Sequence, residues 1–214
     1  MKDNLYDKRQ SYESGQLDVS SVDANPMQQF RTWYYQVEDF GGVTEVNAMA
    51  VATVGLDGFP RNRMVLLKKY DERGFIFYSN YDSEKGRSLE KNPEVCLSFF
   101  WPNMERQVII KGRAQKISVE ESDNYFASRP RGSQLGALIS QQSSVVRDRE
   151  ELEQELKNLE AHYENKEIPR PQHWGGYLVS PIEFEFWQGR PNRLHDRIRY
   201  RLKGLDWEID RLAP

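Results

Sequence analysis

From residue 47 onward the chain is written in short runs of alternating or mostly apolar residues separated by turn signals. That pattern constrains the fold more than any other feature. "NAMAVATVG" and "RNRMVLLKKY" flank "LDGFP", whose Asp57-Gly58 signals a hairpin because glycine enters turn dihedrals at no steric cost. "DERG" makes the next turn into "GFIFYSN", and "EVCLSFFW" and "ERQVIIKGRAQKIS" follow. "WGGYLVS", "IEFEFWQ", "RLHDRIRYRL" and "DWEIDRL" complete the set. Roughly eight short strands with a few peripheral helices predict a mainly β chain folded as a small antiparallel barrel.

The helices are read from a different period. Met27, Phe30, Tyr34 and Val37 recur at helical spacing, with Asn25 placed to cap, Pro26 in the first turn and Gly41-Gly42 at the end. "SEKGRSLEKN" is a short helix stopped by Pro93. Residues 119–144 read as a helix broken at Pro130 and then a Gly- and Ser-bearing segment. Residues 145–165 are helical, with Leu152, Leu156, Leu159 and Tyr163 as the apolar stripe and "RDREELEQELKNLE" as a solvated face. Residues 1–25 are polar and aperiodic, and read as a mobile arm ahead of a single domain, 26–214.

Composition removes several classes of function. Hydrophobic residues at 38% and charged residues at 29% describe a soluble globular chain, and a net charge of −3 argues against a general nucleic-acid binder. No apolar run is long enough to span a membrane, and "MKDNLYDKRQ" has no apolar signal core, so a cytoplasmic home is expected. The single cysteine, Cys96, permits no internal disulfide or cysteine metal cluster. His162, His173 and His195 have no metal-ligand spacing, so no metal is expected. Walker, G-x-S-x-G and G-x-G-x-x-G motifs are missing, and any redox work needs a bound organic cofactor.

The basic residues cluster: Arg61, Arg63, Lys68 and Lys69 in one segment, Arg190 to Lys203 in another. Such patches in a mildly acidic chain suit a small anionic ligand such as a phosphate ester. If "RNRMVLLKKY" is one strand, Arg63 and Lys68 lie on opposite faces. They are either snorkelling surface cations or contacts to different parts of one phosphate-bearing ligand. Tyr125, Arg129 and Ser133 recur every four residues, a donor set for phosphate or ordinary helix-end residues. Arg193, His195 and Arg197, spaced by two, would share one strand face and repel unless an anion or electron-rich ring lies above them. Trp187 beside them is equally a candidate core aromatic.

"FEFWQ", four residues, then "RLHDR" closely resembles the signature of the pyridoxine/pyridoxamine 5′-phosphate oxidases. "AMAVATV", "RMVLLKKYDERGFIFYSNYDS", "ERQVIIKGRAQKIS", "YFASRPRGSQLGALISQQSS", "HWGGYLVS" and "WEIDRLAP" are similar to that family in the same order, from about residue 27 to 214. The resemblance implies a split β-barrel homodimer with FMN across the subunit interface. It also implies oxidation of pyridoxine and pyridoxamine 5′-phosphates by dioxygen to pyridoxal 5′-phosphate and hydrogen peroxide. The flavin contacts it implies are Arg63, Met64, Val65, Leu66, Leu67, Lys68, Tyr78, Ser79, Lys85, Gln107, Gln142, Ser143, Trp187 and Arg197. For the substrate it implies Lys68, Tyr125, Arg129 and Ser133 around the phosphate, and Arg193, Leu194 and His195 over the ring, with Arg193 and His195 as catalytic residues. "RQSY" matches a mobile lid, giving Arg9 and Tyr12.

Two departures stand out. Ser83-Glu84-Lys85 replaces the family's common Ser-Arg-Lys, so Glu84 is expected to point away from the flavin phosphate and Arg87 to substitute from the next turn. "RQSY" also lacks a basic and an acidic residue of familiar members. The rival readings are a flavin or deazaflavin-dependent reductase in the same barrel class, a non-catalytic pyridoxal phosphate carrier, and, more distantly, a nucleic-acid module.

Overall fold

The computed structural model describes residues 4–8 and 10–214. Among the described residues there are five α-helices and nine strands, the mainly β class with peripheral helices that the sequence leads one to expect. In chain order these are α1 (Pro26–Phe40), β1 (Ala48–Val54), β2 (Pro60–Leu66), β3 (Lys69–Asp71), β4 (Gly74–Asn80), α2 (Glu84–Lys91) and β5 (Glu94–Trp101). There follow β6 (Arg106–Lys116), α3 (Val119–Ser128), α4 (Arg131–Ile139), α5 (Arg149–His162), β7 (Trp174–Gln188), β8 (Asp196–Lys203) and β9 (Asp206–Leu212). Hydrogen bonding orders the strands β2-β1-β5-β6-β7-β4-β3, with β8 on β7 and β9 on β8. No helix among the described residues is long and apolar enough to cross a membrane. The chain forms two compact units: the described residues of Met1–Ala50 with Cys96–Lys111 and Pro181–Pro214, and Val51–Val95 with Gly112–Ser180.

In the first unit α1 begins where expected. The Asn25 side chain accepts from the Met27 N–H at 2.9 Å, Pro26 opens the first turn, and Gly41 ends the helix at φ +74°, a conformation that suits glycine. The buried stripe is Met27, Phe30, Trp33 and Val37; Tyr34, expected in it, is only partly buried and lies against the Phe30 and Trp101 rings. Phe30 meets Phe99 at 5.0 Å and Trp33 meets Phe186 edge-on at 5.2 Å. Each such side chain contributes about 1.5–3 kcal/mol by leaving water. The second half of β7 pairs antiparallel with β8 in the register Phe184↔Tyr200 and Phe186↔Ile198, four fully buried residues, while Trp187↔Arg197 lies on the alternate face. Residues 14–23 dock here too. Leu17 is buried with its N–H on the Asp196 carboxylate at 3.0 Å, and the Tyr200 hydroxyl donates to the Asp23 carbonyl at 2.7 Å.

In the second unit β4 is buried nearly throughout and pairs antiparallel with the first half of β7, Phe75↔Val179 through Ser79↔Gly175. Gly175 and Gly176 allow this pairing, since a Cβ at either would collide with Tyr81 or Ile117. Phe126, Leu135, Ala137, Ile168 and Trp174 form a satellite core, and Leu156, Leu159 and Tyr163 of the expected α5 stripe pack on it.

Four expectations about elements are corrected. "RNRMVLLKKY" is two strands, because Leu67 turns inward to become a core residue and breaks the alternation before Lys68. "WGGYLVS" and "IEFEFWQ" are one fifteen-residue strand, β7, running through Pro181. The Gly- and Ser-bearing stretch after Pro130 is a helix, α4; Pro130 cannot continue α3, but as the residue flanking α4 it opens a new one. Finally, β8 starts at Asp196, and Pro191–Arg193 is a 3₁₀ turn with Asn192 and Arg193 at φ +57° and +61°. Arg193, His195 and Arg197 therefore do not share one strand face.

Candidate active site

The second unit holds a cavity of about 860 Å³. Its lining brings together Arg63, Met64, Val65, Leu66, Lys68, Tyr78, Ser79, Lys85, Tyr125, Arg129, Ser133, Gln142 and Ser143, thirteen residues singled out from sequence. Leu67 is not among them, being in the core. The cavity has two cationic poles.

The first pole is built on the start of α2. Ser83 caps that helix, its hydroxyl accepting from the Gly86 N–H at 3.2 Å and donating to the Asn80 carbonyl at 2.7 Å. Gly86 is required, since a Cβ there would collide with the Tyr81 backbone. So seated, Lys85 is 6% exposed, and its ammonium donates to Ser83 Oγ at 3.0 Å, to Gln142 Oε1 at 2.7 Å and to Ser79 Oγ. Burial, and secondarily the neighbouring charge of Arg63, push its pKa down to about 8. Arg63 donates from Nη1 to the Val51 carbonyl at 3.1 Å, Thr53 Oγ1 at 2.8 Å and the Arg61 carbonyl at 3.2 Å. Burial lowers the Arg63 pKa as well. Ser143, held at φ +74°, accepts the Glu84 N–H on its hydroxyl at 3.2 Å.

The second pole follows from the α3–α4 break. Tyr125 lies in the last turn of α3, Arg129 is its C-cap residue and Ser133 lies in the first turn of α4, and all three reach the same lining across Pro130. Tyr78 stacks on Tyr125 at 3.8 Å and on Trp174 at 5.5 Å, making an aromatic wall. Burial, with a smaller contribution from Tyr125, pushes the Tyr78 hydroxyl up to about 12. The Arg129 guanidinium lies 4.4 Å from the Trp174 ring centre, and burial lowers its pKa. Its Nη1 is buried with no hydrogen-bond partner. A buried donor without an acceptor costs about 1–3 kcal/mol, and an anion at that point would recover it. Lys68, on the same lining, is exposed.

Sequence reasoning missed Asn80, Ser140 and Trp174 on this lining, and named Arg61 in a basic cluster without assigning it to the site. The signal for Arg61 was present in the alternation of β2, where it shares a face with Arg63. The expectation for Glu84 and Arg87 is corrected. Glu84 lines the cavity, its carboxylate 2.9 Å from Arg61 Nη1, because a positive neighbour removes the reason to turn away. Arg87 faces a second hollow of about 410 Å³ with Asp82, Gln141 and His173.

The remaining candidates lie in the first unit. Tyr12, Trp187 and His195 form a ring cluster, with centre separations of 5.7 Å for Tyr12–Trp187, 5.8 Å for Tyr12–His195 and 4.7 Å for Trp187–His195. The Arg190 N–H donates to His195 Nδ1 at 3.1 Å, closing the loop around the 3₁₀ turn. Arg193 and Leu194 are exposed. Arg197 forms a two-pronged pair with Glu185 at 2.8 and 3.0 Å, which raises its pKa; its charge is already met within the chain. Gln107 is half-buried on β6. Arg9 lies outside the described residues.

A mainly β chain whose cavity carries two cationic poles and an aromatic wall has the chemistry to take flat, phosphate-bearing molecules. Residues 36–163 match the family described as pyridoxamine 5′-phosphate oxidase, and residues 174–214 match the pyridoxine 5′-phosphate oxidase C-terminal dimerisation region. The pyridoxine/pyridoxamine 5′-phosphate oxidase of Flavobacterium johnsoniae is 60% identical over 211 residues, covering 98% of this chain and 99% of that one. That of Flavobacterium psychrophilum is 57% identical over 215 residues, covering all of both. Among solved structures, PhzG from Burkholderia lata, in complex with tetrahydrophenazine-1-carboxylic acid, superposes with a TM-score of 0.85 at 31% identity over 94% of this chain and 100% of that one. The chain belongs to the pyridoxamine 5′-phosphate oxidase family, and its fold is of the split-barrel class expected.

Proposed function

We propose that the chain oxidises pyridoxine 5′-phosphate and pyridoxamine 5′-phosphate to pyridoxal 5′-phosphate, with FMN as cofactor, dioxygen as acceptor and hydrogen peroxide as by-product. The observation that carries this reading is the cavity with two separate phosphate-suited poles, one for a cofactor and one for a substrate. Its chemistry fits FMN: Lys85 is a buried cation bonded only to neutral oxygens, and Arg63 meets only carbonyls and a hydroxyl. Arg63, Met64, Val65, Leu66, Lys68, Tyr78, Ser79, Lys85, Gln142 and Ser143 would hold it, joined by Gln107, Trp187 and Arg197 at the interface of a homodimer. The match of residues 174–214 to a dimerisation region supports that assembly. When bound, FMN supplies a hydride acceptor that dioxygen regenerates.

The chain's own residues bind and orient. Tyr125, Arg129, Ser133 and Lys68 grip the substrate phosphate, and the Arg129 fork, pinned over Trp174, fixes its direction. Arg193, Leu194 and His195 cover the substrate ring, and Arg193 and His195 hold its oxygen or amine. Fixing both partners in one geometry is the main catalytic contribution, since it replaces a chance encounter with a positioned one. Tyr12 and Arg9 are assigned to substrate binding, as the lid residues of "RQSY". We read residues 1–25 as an arm serving one FMN-binding domain, 26–214, acting in the cytoplasm.

The test is direct. The purified protein should be yellow, pyridoxine 5′-phosphate should bleach it without air, and air should restore the colour. A colourless protein would revive the carrier. Consumption of reduced nicotinamide without turnover of pyridoxine 5′-phosphate would favour a reductase.

A further inference from the structure

Arg61 is the cavity-lining cation whose partners are carboxylates. Its Nη2 lies 2.7 Å from Asp57 Oδ2 and its Nη1 2.9 Å from Glu84 Oε1, while its Nε is buried with no partner. The side chain is 40% exposed and Glu84 36%, and a pair that open contributes little to stability. Stability alone is therefore a weak reason for this pair. Its location is more informative. Glu84 immediately precedes Lys85 in α2, so a bare carboxylate at 84 would repel any phosphate drawn to Lys85. Arg61 sits two residues from Arg63 on β2 and lines the same pole. Glu84 and Arg61 both act electrostatically on Arg63, Glu84 raising and Arg61 lowering its pKa.

We infer that Arg61 is a further residue of the cofactor-phosphate pole, aimed by Asp57 and Glu84 so that its guanidinium offsets Glu84 and adds a cation beside Arg63 and Lys85. The inference rests on the flavin reading above and assigns the first pole to the flavin phosphate. Arg61 acts on binding of the phosphate and not on the oxidation step.

The experiment compares FMN with riboflavin, which has the same ring system and no phosphate, by fluorescence titration of the flavin-free full-length chain. Arg61→Gln keeps a polar side chain of similar reach on β2. It should weaken FMN about 10- to 30-fold, the loss of roughly one charge-assisted contact, and riboflavin less than about 2-fold. Arg61→Lys, which retains charge but not the fork, should fall between. Arg61→Gln/Glu84→Gln should recover at least half of the loss on a logarithmic scale, because the repelling carboxylate leaves with its partner. The inference is overturned by an unchanged FMN affinity in Arg61→Gln, by equal losses for FMN and riboflavin, or by no recovery in the double variant. A parent chain that does not prefer FMN over riboflavin sinks the flavin-phosphate reading itself, a different failure.

Discussion

In the cavity, Lys85 and Arg63 are bonded to neutral oxygens, and one Arg129 nitrogen is buried without an acceptor. In the C-terminal segment arginines are more numerous, yet Arg197 meets Glu185, Arg199 meets Asp210, and Arg190 and Arg211 share Asp196. The C-terminal segment has more cations, but fewer of them are left over for a ligand. The lesson is that a basic cluster marks an anion site where some of its cations, here Lys85, Arg63 and Arg129, are left without a carboxylate partner, even though Arg61 beside them is paired with Asp57 and Glu84. Arg193 is the exception in the second region: exposed, and without a carboxylate partner among the described residues.

If this contrast holds, the largest effect comes from Arg129. Arg129→Ala should raise the KM for pyridoxine 5′-phosphate about 100-fold while flavin content stays unchanged, since two charge-assisted bonds to phosphate are lost. Equal loss of flavin in steady-state and absorbance measurements would merge the two poles and break the contrast.

Next comes Lys85. Lys85→Met should weaken FMN about 30-fold. The pH dependence is sharper. Below about 8 the ammonium is charged and flavin affinity is full; as pH rises through about 8 the proton leaves and affinity falls. Lys85→Arg should remove that step from a titration of FMN affinity against pH. Stability of the flavin-free chain runs the opposite way. Between about 8 and 10.5 the unfolded chain holds more protons on this lysine than the folded one, so this group makes stability rise with pH across that window.

Smaller effects separate the paired from the unpaired arginine. Arg193→Ala should raise substrate KM about 10-fold with flavin retained, one charged contact being lost. Arg197→Met should weaken flavin less than about 5-fold, because Glu185 already engages its charge. The Arg197→Met/Glu185→Gln double variant should be more stable to heat than Arg197→Met alone, the stranded carboxylate having been removed.

Much of this was legible in the residues. Asn25 and Pro26 announced α1, Asp57-Gly58 announced the first hairpin, and the 125–129–133 spacing led to one of the two poles. The failures have a common cause. Leu67 leaves its strand to fill a core, the Gly- and Ser-bearing segment after the break at Pro130 is itself a helix, and Arg193 leaves the strand pattern because two residues adopt left-handed backbone. Each is a tertiary decision overriding a local period. Arg61 was visible but could not be distinguished from a surface cation until Glu84 was seen opposite it. The resemblance supplied the list of candidates, whereas which of them are left with unspent charge emerged only from three dimensions.

The bond from the Arg190 N–H to His195 Nδ1 has one more consequence. It occupies the lone pair on that ring nitrogen, so the neutral imidazole must carry its hydrogen on Nε2. Nε2 of His195 is then a donor, matched to a hydroxyl or alkoxide oxygen and poorly matched to an ammonium.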